Sequence, residues 1–150
     1  MASQKQINEL KSLKLMSDIL NMINKFFKMN KVTYTTSFIG QCKINYFNKI
    51  TPSNKDALDN KLYQTLRLIA KKKIIQNGLE DFSLYFMEYQ YLVNLWAAHF
   101  ILEENPTDEL KEECLKIITR YTETDYEKLA QEERTWLIEH GYGDRIPKIT

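Results

Sequence analysis

The stretch from Phe82 to Glu104, FSLYFMEYQYLVNLWAAHFILEE, constrains the fold more than any other. Phe82, Tyr85, Tyr89, Leu92, Trp96 and Phe100 share one helical line, and Leu84, Met87, Tyr91, Leu95, Ala98 and Leu102 share another. Only Ser83, Gln90 and Asn94 form a thin polar seam. A helix apolar on nearly every side must be buried on nearly every side. At ~1.5 Å per residue the stretch spans about 35 Å, the width of a small domain. About 20 apolar residues can also cross a bilayer. Glu88, Gln90, Asn94 and His99 oppose that reading, because each is costly at mid-membrane. The expectation is a mainly α, single-domain bundle of about five helices around a central buried helix at 82–104.

The flanking segments supply the other helices. From Ser3 to Met29, Ile7, Leu10, Leu13, Met16, Ile19, Leu20, Ile23, Phe26 and Phe27 recur at steps of three and four, with lysines between them. Ser3 is the expected cap and Asn30 the expected end. Asn54 to Asn77 places Leu58, Leu62, Leu66 and Ile69 on one line and closes at Asn77-Gly78. Asn105-Pro106 breaks the chain, and Thr107 caps a helix that buries Leu110, Cys114, Ile117, Ile118 and Tyr121. Thr124 and Glu127 have capping-box spacing ahead of a last helix that ends at His140-Gly141. The expected organisation is one domain over 1–140 and a tail over 141–150.

Residues 32–50 are ambiguous. Val32, Tyr34, Thr36 and Phe38 alternate with polar residues, and so do Cys42, Ile44 and Tyr46. A hairpin with the loop Phe38-Ile39-Gly40 places both apolar sets on one face and Gly40 at a left-handed position. The competing reading is a helix capped by Ser37, with Ile39, Cys42, Tyr46 and Ile50 on one face. The hairpin is favoured on alternation.

Two distant cysteines, Cys42 and Cys114, suggest neither a disulfide framework nor a zinc site. Free thiols fit a reducing compartment, and MASQKQINELKSLK shows no secretory h-region. A cytoplasmic or virion-associated protein is expected, not a secreted one. The net charge of +1 hides a strong polarity. Residues 1–78 carry 14 basic and 4 acidic side chains, and residues 79–150 carry 7 and 16. Such asymmetry hints at partners.

No motif compels a reaction, and no cofactor or metal is expected. Only four glycines are present, with no phosphate-cradling loop and no GxSxG. Arg134 and His140 resemble the Arg-x4–6-His signature of small all-helical HEPN-type ribonucleases, departing from it at Thr135. That resemblance would imply a pair acting on the 2′-hydroxyl and phosphate of RNA. Glu109 and Glu112 are similar to the first half of the ExxE…ExxD metal motif of helical nucleotide pyrophosphohydrolases, but Tyr126 stands where the second half needs a carboxylate. Solvated carboxylates are the simpler reading. Glu88 and His99 lie about 16 Å apart along one helix and cannot share an ion. A buried His99 or Asn94 held by hydrogen bonds is expected instead.

The leading functional expectation is a non-enzymatic interaction protein, an assembly subunit or adaptor. The basic face of one copy would meet the acidic face of the next, and the tail residues Tyr142, Arg145, Ile146, Pro147 and Ile149 would dock on a partner. In build this is similar to phage head-to-tail adaptor proteins, a likeness of architecture without a shared motif. The alternative is nucleic-acid binding by the basic half, with Lys71, Lys72 and Lys73 on phosphates and Tyr34, Tyr46 and Phe47 stacking on bases.

Overall fold

The computed structural model describes residues 3–29 and 37–148. The chain forms two compact units, Met1–Tyr34 and Thr35–Thr150. Among the described residues there are seven α-helices and no strand, so the mainly α expectation holds.

Among its described residues the first unit holds one helix, α1 (Gln4–Met29), of 26 residues. Its start is a capping box. Ser3 Oγ accepts the Gln6 N–H at 3.2 Å, and Gln6 Oε1 accepts the Ser3 N–H at 2.9 Å. The expected end at Asn30 lies outside the described residues.

The second unit is built on α5 (Val93–Leu102), in which every residue from Val93 to Ile101 is buried. Around it pack α2 (Phe38–Phe47), α3 (Lys61–Asn77) and α6 (Asp108–Tyr121). A short α4 (Leu79–Phe82) leads into the segment before α5, and α7 (Glu127–Glu139) lies against α6. An aromatic core joins them. Phe38 meets Phe82 edge-on at 4.9 Å, while Trp96 stacks on Phe100 at 5.6 Å and meets Tyr63 at 5.1 Å.

Four expectations change. The central helix does not run unbroken from 82 to 104. Ser83–Met87 and Gln90–Leu92 are 3-10 turns, and only Val93–Leu102 is α-helical after α4. Tyr91 and Leu92 have φ of 53° and 59°, a left-handed pair that breaks the helical run. The break is held by hydrogen bonds. Glu88 Oε1 accepts the Gln90 N–H, and the Glu88 carbonyl accepts the Asn94 N–H, each at 3.0 Å. The Tyr91 ring rests 5.7 Å from Tyr46 and 5.9 Å from Phe47. These contacts offset the strain of two left-handed non-glycine residues, about 1–2 kcal/mol each.

The hairpin is also overturned where it can be seen, since residues 38–47 are α2. Residues 32–36 lie outside the described residues. Ser37 Oγ accepts the Gly40 N–H at 3.0 Å and so caps the helix. Phe38 and Cys42, one turn apart, are both fully buried. Burial on a 3.6-residue period outweighs the alternation seen in the sequence. Asn45, also fully buried, donates from Nδ2 to the Leu62 carbonyl at 3.2 Å and ties α2 to α3.

The helix expected from Asn54 begins later. Lys55–Ala57 is a single 3-10 turn, and α3 starts after Asn60, whose Oδ1 accepts the Leu62 N–H at 2.8 Å. Its end at Gly78, φ 88°, is as expected. Finally, the Thr124–Glu127 capping box does not form, and Tyr126 precedes α7 without a side-chain cap. Glu127 instead accepts from Arg134 Nη2 at 2.9 Å. The Thr107 cap does form, its Oγ1 accepting the Leu110 N–H at 3.3 Å.

Candidate functional site

The loop 50–58, the end of α5 and one face of α7 enclose a cleft of about 690 Å³. Small-molecule sites run from roughly 300 to 1,000 Å³. His99 lines the cleft, and behind His99 lies Glu133, so two ionisable side chains sit where apolar ones would be expected. His99 is on the fully buried α5, 7% exposed, and Glu133 is on α7 at 0%. His99 Nε2 bonds Glu133 Oε1 and lies 3.3 Å from Oε2. Ser53 Oγ lies 3.2 Å from the same Nε2.

That shared nitrogen decides the chemistry. A serine relay needs the hydroxyl on one imidazole nitrogen and the carboxylate on the other. Here both meet Nε2, so Ser53, His99 and Glu133 are not arranged as a hydrolase triad. A carboxylate can only accept, so Nε2 carries the hydrogen. Trp96 Nε1 is the sole buried side-chain nitrogen or oxygen without a partner among the described residues. His99 Nδ1 makes no hydrogen bond among the described residues and is not one of the buried unpaired atoms, and the His99 ring lines the cleft.

The outer wall is aromatic. Trp136 meets His99 edge-on at 4.7 Å, stacks on His140 at 4.0 Å and lies near-parallel to Tyr142 at 6.3 Å. His140 Nδ1 lies 2.8 Å from the Trp136 carbonyl. Tyr63 donates its O–H to the Pro52 carbonyl at 3.0 Å, and burial pushes its pKa up to about 12. The mouth carries paired charge: Lys55 with Glu139 at 2.5 Å and Arg67 with Glu103 at 3.1 Å. Beside it Thr51 Oγ1 donates to Glu132 at 2.8 Å. Burial holds the Glu132 carboxyl above its ordinary range, partly offset by that bond.

The candidate residues from the sequence are dispersed. Lys71 pairs with Glu104 at 3.4 Å. Lys72 and Lys73 follow at about 100° steps around α3, so the three lysines fan out and do not form one phosphate-facing row. Arg134 donates to the Thr122 carbonyl at 2.7 Å and to Glu127, whereas His140 lines the cleft. The two do not share a wall. Glu112 is held by Arg145 in a two-point bond at 2.5 and 2.8 Å, which lowers its carboxyl pKa. No three His, Cys, Asp or Glu side chains converge as metal ligands among the described residues.

The tail is not free as expected. Gly141, φ 84°, turns the chain so that the Tyr142 N–H reaches the Leu137 carbonyl at 2.7 Å. Lys111 and Arg145 then lie over the Tyr142 ring at 5.4 and 5.8 Å. Ile146 is half-buried and Pro147 exposed, and Ile149 lies outside the described residues. Asn94 and His99 are buried and hydrogen-bonded as expected, Asn94 Oδ1 accepting from Tyr121 O–H at 2.6 Å. Burial raises both thiol pKa values, that of Cys114 to about 12.

Two further surface features carry exposed apolar side chains. Tyr46, Phe47 and Tyr91 form a cluster with Lys43 at 5.6 Å from the Tyr91 ring, and Phe47 is 66% exposed. On α1, Leu10, Leu13, Leu15 and Met22 are each at least 60% exposed. Among the described residues no helix is long and apolar enough to cross a membrane.

Sequence reasoning missed Glu133. Its signal was present: it sits midway on the line Leu129–Glu133–Leu137, a carboxylate inside an apolar stripe. Comparison with protein-family models, with curated proteins and with solved structures finds no match.

Proposed function

We propose that the protein is a non-enzymatic assembly subunit that associates with a second copy of itself through α1. The observation that carries this is the exposed apolar stripe of α1. A helix of 26 residues is about 39 Å long, and helices in water owe most of their stability to packing one apolar face. Here Leu10 and Leu13 are 63% exposed and Met16 37%. A contiguous stripe of that kind marks a surface awaiting a partner. Leu13, Met16 and Leu20 follow the alternating three-four spacing of a two-helix seam, which a second α1 satisfies by symmetry.

The salt response separates this from a contact between basic and acidic faces. Residues 1–34 carry six lysines against two acidic side chains. Two copies of α1 repel, so screening strengthens a dimer held by an apolar seam and weakens one held by opposite charge. Light scattering is expected to give a mass above the monomer that rises with salt, and Leu13→Asp with Met16→Asp to return a monomer. A monomer at every concentration and salt sinks this function.

Nucleic-acid binding has one observation in its favour, the Tyr46–Phe47–Tyr91 cluster beside Lys43. Exposed rings next to a cation suit stacked bases of a single strand, at about 1–3 kcal/mol per base. If this holds, Phe47→Ala weakens binding of an oligo-dT strand about tenfold or more, and Lys43→Ala lowers the salt slope by roughly one. No retention of oligo-dT at low salt removes it.

A further inference from the structure

We propose that the cleft between α5 and α7 is a binding site for an uncharged aromatic molecule carrying an O–H or N–H donor, with His99 Nδ1 as the acceptor. The inference is independent of self-association through α1. It starts from the buried pair. Glu133 is completely enclosed and His99 is 7% exposed, yet Nε2 alone takes all the hydrogen bonds that the protein makes to this ring. The His99 ring lines a cleft of about 690 Å³, and Nδ1 is the ring nitrogen that the protein leaves without a hydrogen bond. Glu133 fixes the hydrogen on Nε2, and in the neutral ring this leaves a lone pair on Nδ1.

The remaining walls select the rest of the molecule. Trp136 and Tyr142 lie near-parallel at 6.3 Å and present ring surface, and Tyr63, with its O–H committed to Pro52, presents another. Flat apolar walls with one oriented polar atom favour a planar aromatic guest whose orientation a single hydrogen bond sets. Charges at the mouth come in opposite pairs, Lys55 with Glu139 and Arg67 with Glu103. Asp108 and Lys111, of opposite charge, both lie at the rim. No unbalanced charge therefore calls for an ionic ligand.

Phenol is the probe, and toluene, of the same shape without the donor, is its control. Calorimetric titration of the full chain at neutral pH is expected to show phenol binding about tenfold tighter than toluene, the scale of one hydrogen bond. His99→Gln keeps an amide N–H where Nε2–H meets Glu133 and removes the Nδ1 acceptor. It is expected to erase the preference for phenol while the protein still unfolds cooperatively. Imidazole ¹⁵N spectra of the unaltered protein give a second readout that needs no variant. Nδ1 of His99 is expected to be unprotonated and to shift on adding phenol but not toluene. A protonated Nδ1, equal affinity for the two probes, or no binding of phenol overturns the proposal. Because none of these readouts depends on oligomer mass, failure here leaves the α1 dimer standing, and the reverse holds.

Discussion

Glu133→Ala is expected to destabilise the protein by about 3–5 kcal/mol, read as a drop in the urea midpoint. Glu133 is wholly enclosed on α7 and bonded to His99 on α5. Removing it strips His99 of its carboxylate acceptor, leaving only Ser53 at 3.2 Å, and opens a void between two helices. Replacing both partners tests the cause. The double variant Glu133→Leu with His99→Leu deletes the pair and its desolvation cost together, and such replacements are often neutral or stabilising. A double variant no more stable than Glu133→Ala would mean that packing, not the broken pair, sets the loss.

Trp96→Ala is expected to cost about 3–5 kcal/mol, the range for emptying a large aromatic from a core. Trp96 is fully buried, stacked on Phe100 at 5.6 Å and edge-on to Tyr63 at 5.1 Å. Trp96→Phe should cost much less, about 1–2 kcal/mol. Its Nε1 hydrogen is the buried donor without a partner, so deleting it forfeits no hydrogen bond and relieves an unmet one. Urea midpoints at unchanged slope measure both. Equal losses for the two variants would show that the indole N–H does find a partner, such as an ordered water.

Legibility in the sequence followed the range of the forces involved. Breaks at Gly78 and Asn105-Pro106 and the cap at Thr107 were readable because each is set by the residues that carry it. The Ser37 cap was readable in the same way, yet the alternation from Val32 to Tyr46 outweighed it. What decided for α2 was the aromatic pocket formed by Phe82, Tyr85 and Phe100 around Phe38, contributed by residues more than forty positions away. The break at Tyr91-Leu92 had no local warning at all, since neither a glycine nor a proline marks it. It survives because Tyr46 and Phe47 hold the Tyr91 ring from another helix.

The cleft divides the same way. Both residues of the buried pair could be seen as anomalies, His99 in a largely apolar run and Glu133 on an apolar line. Their pairing, and the fact that Ser53 shares the same nitrogen, arise from three segments brought together by folding. Amino-acid order by itself determined that this chain is helical, that a buried helix lies within 82–104 and that α1 is amphipathic, because periodicity and capping are properties of neighbours along the chain. Tertiary structure alone decided where the long apolar run breaks and that the tail is tied down by Glu112. Those outcomes depend on which distant side chains meet, and in what geometry, and no periodicity along the chain encodes that.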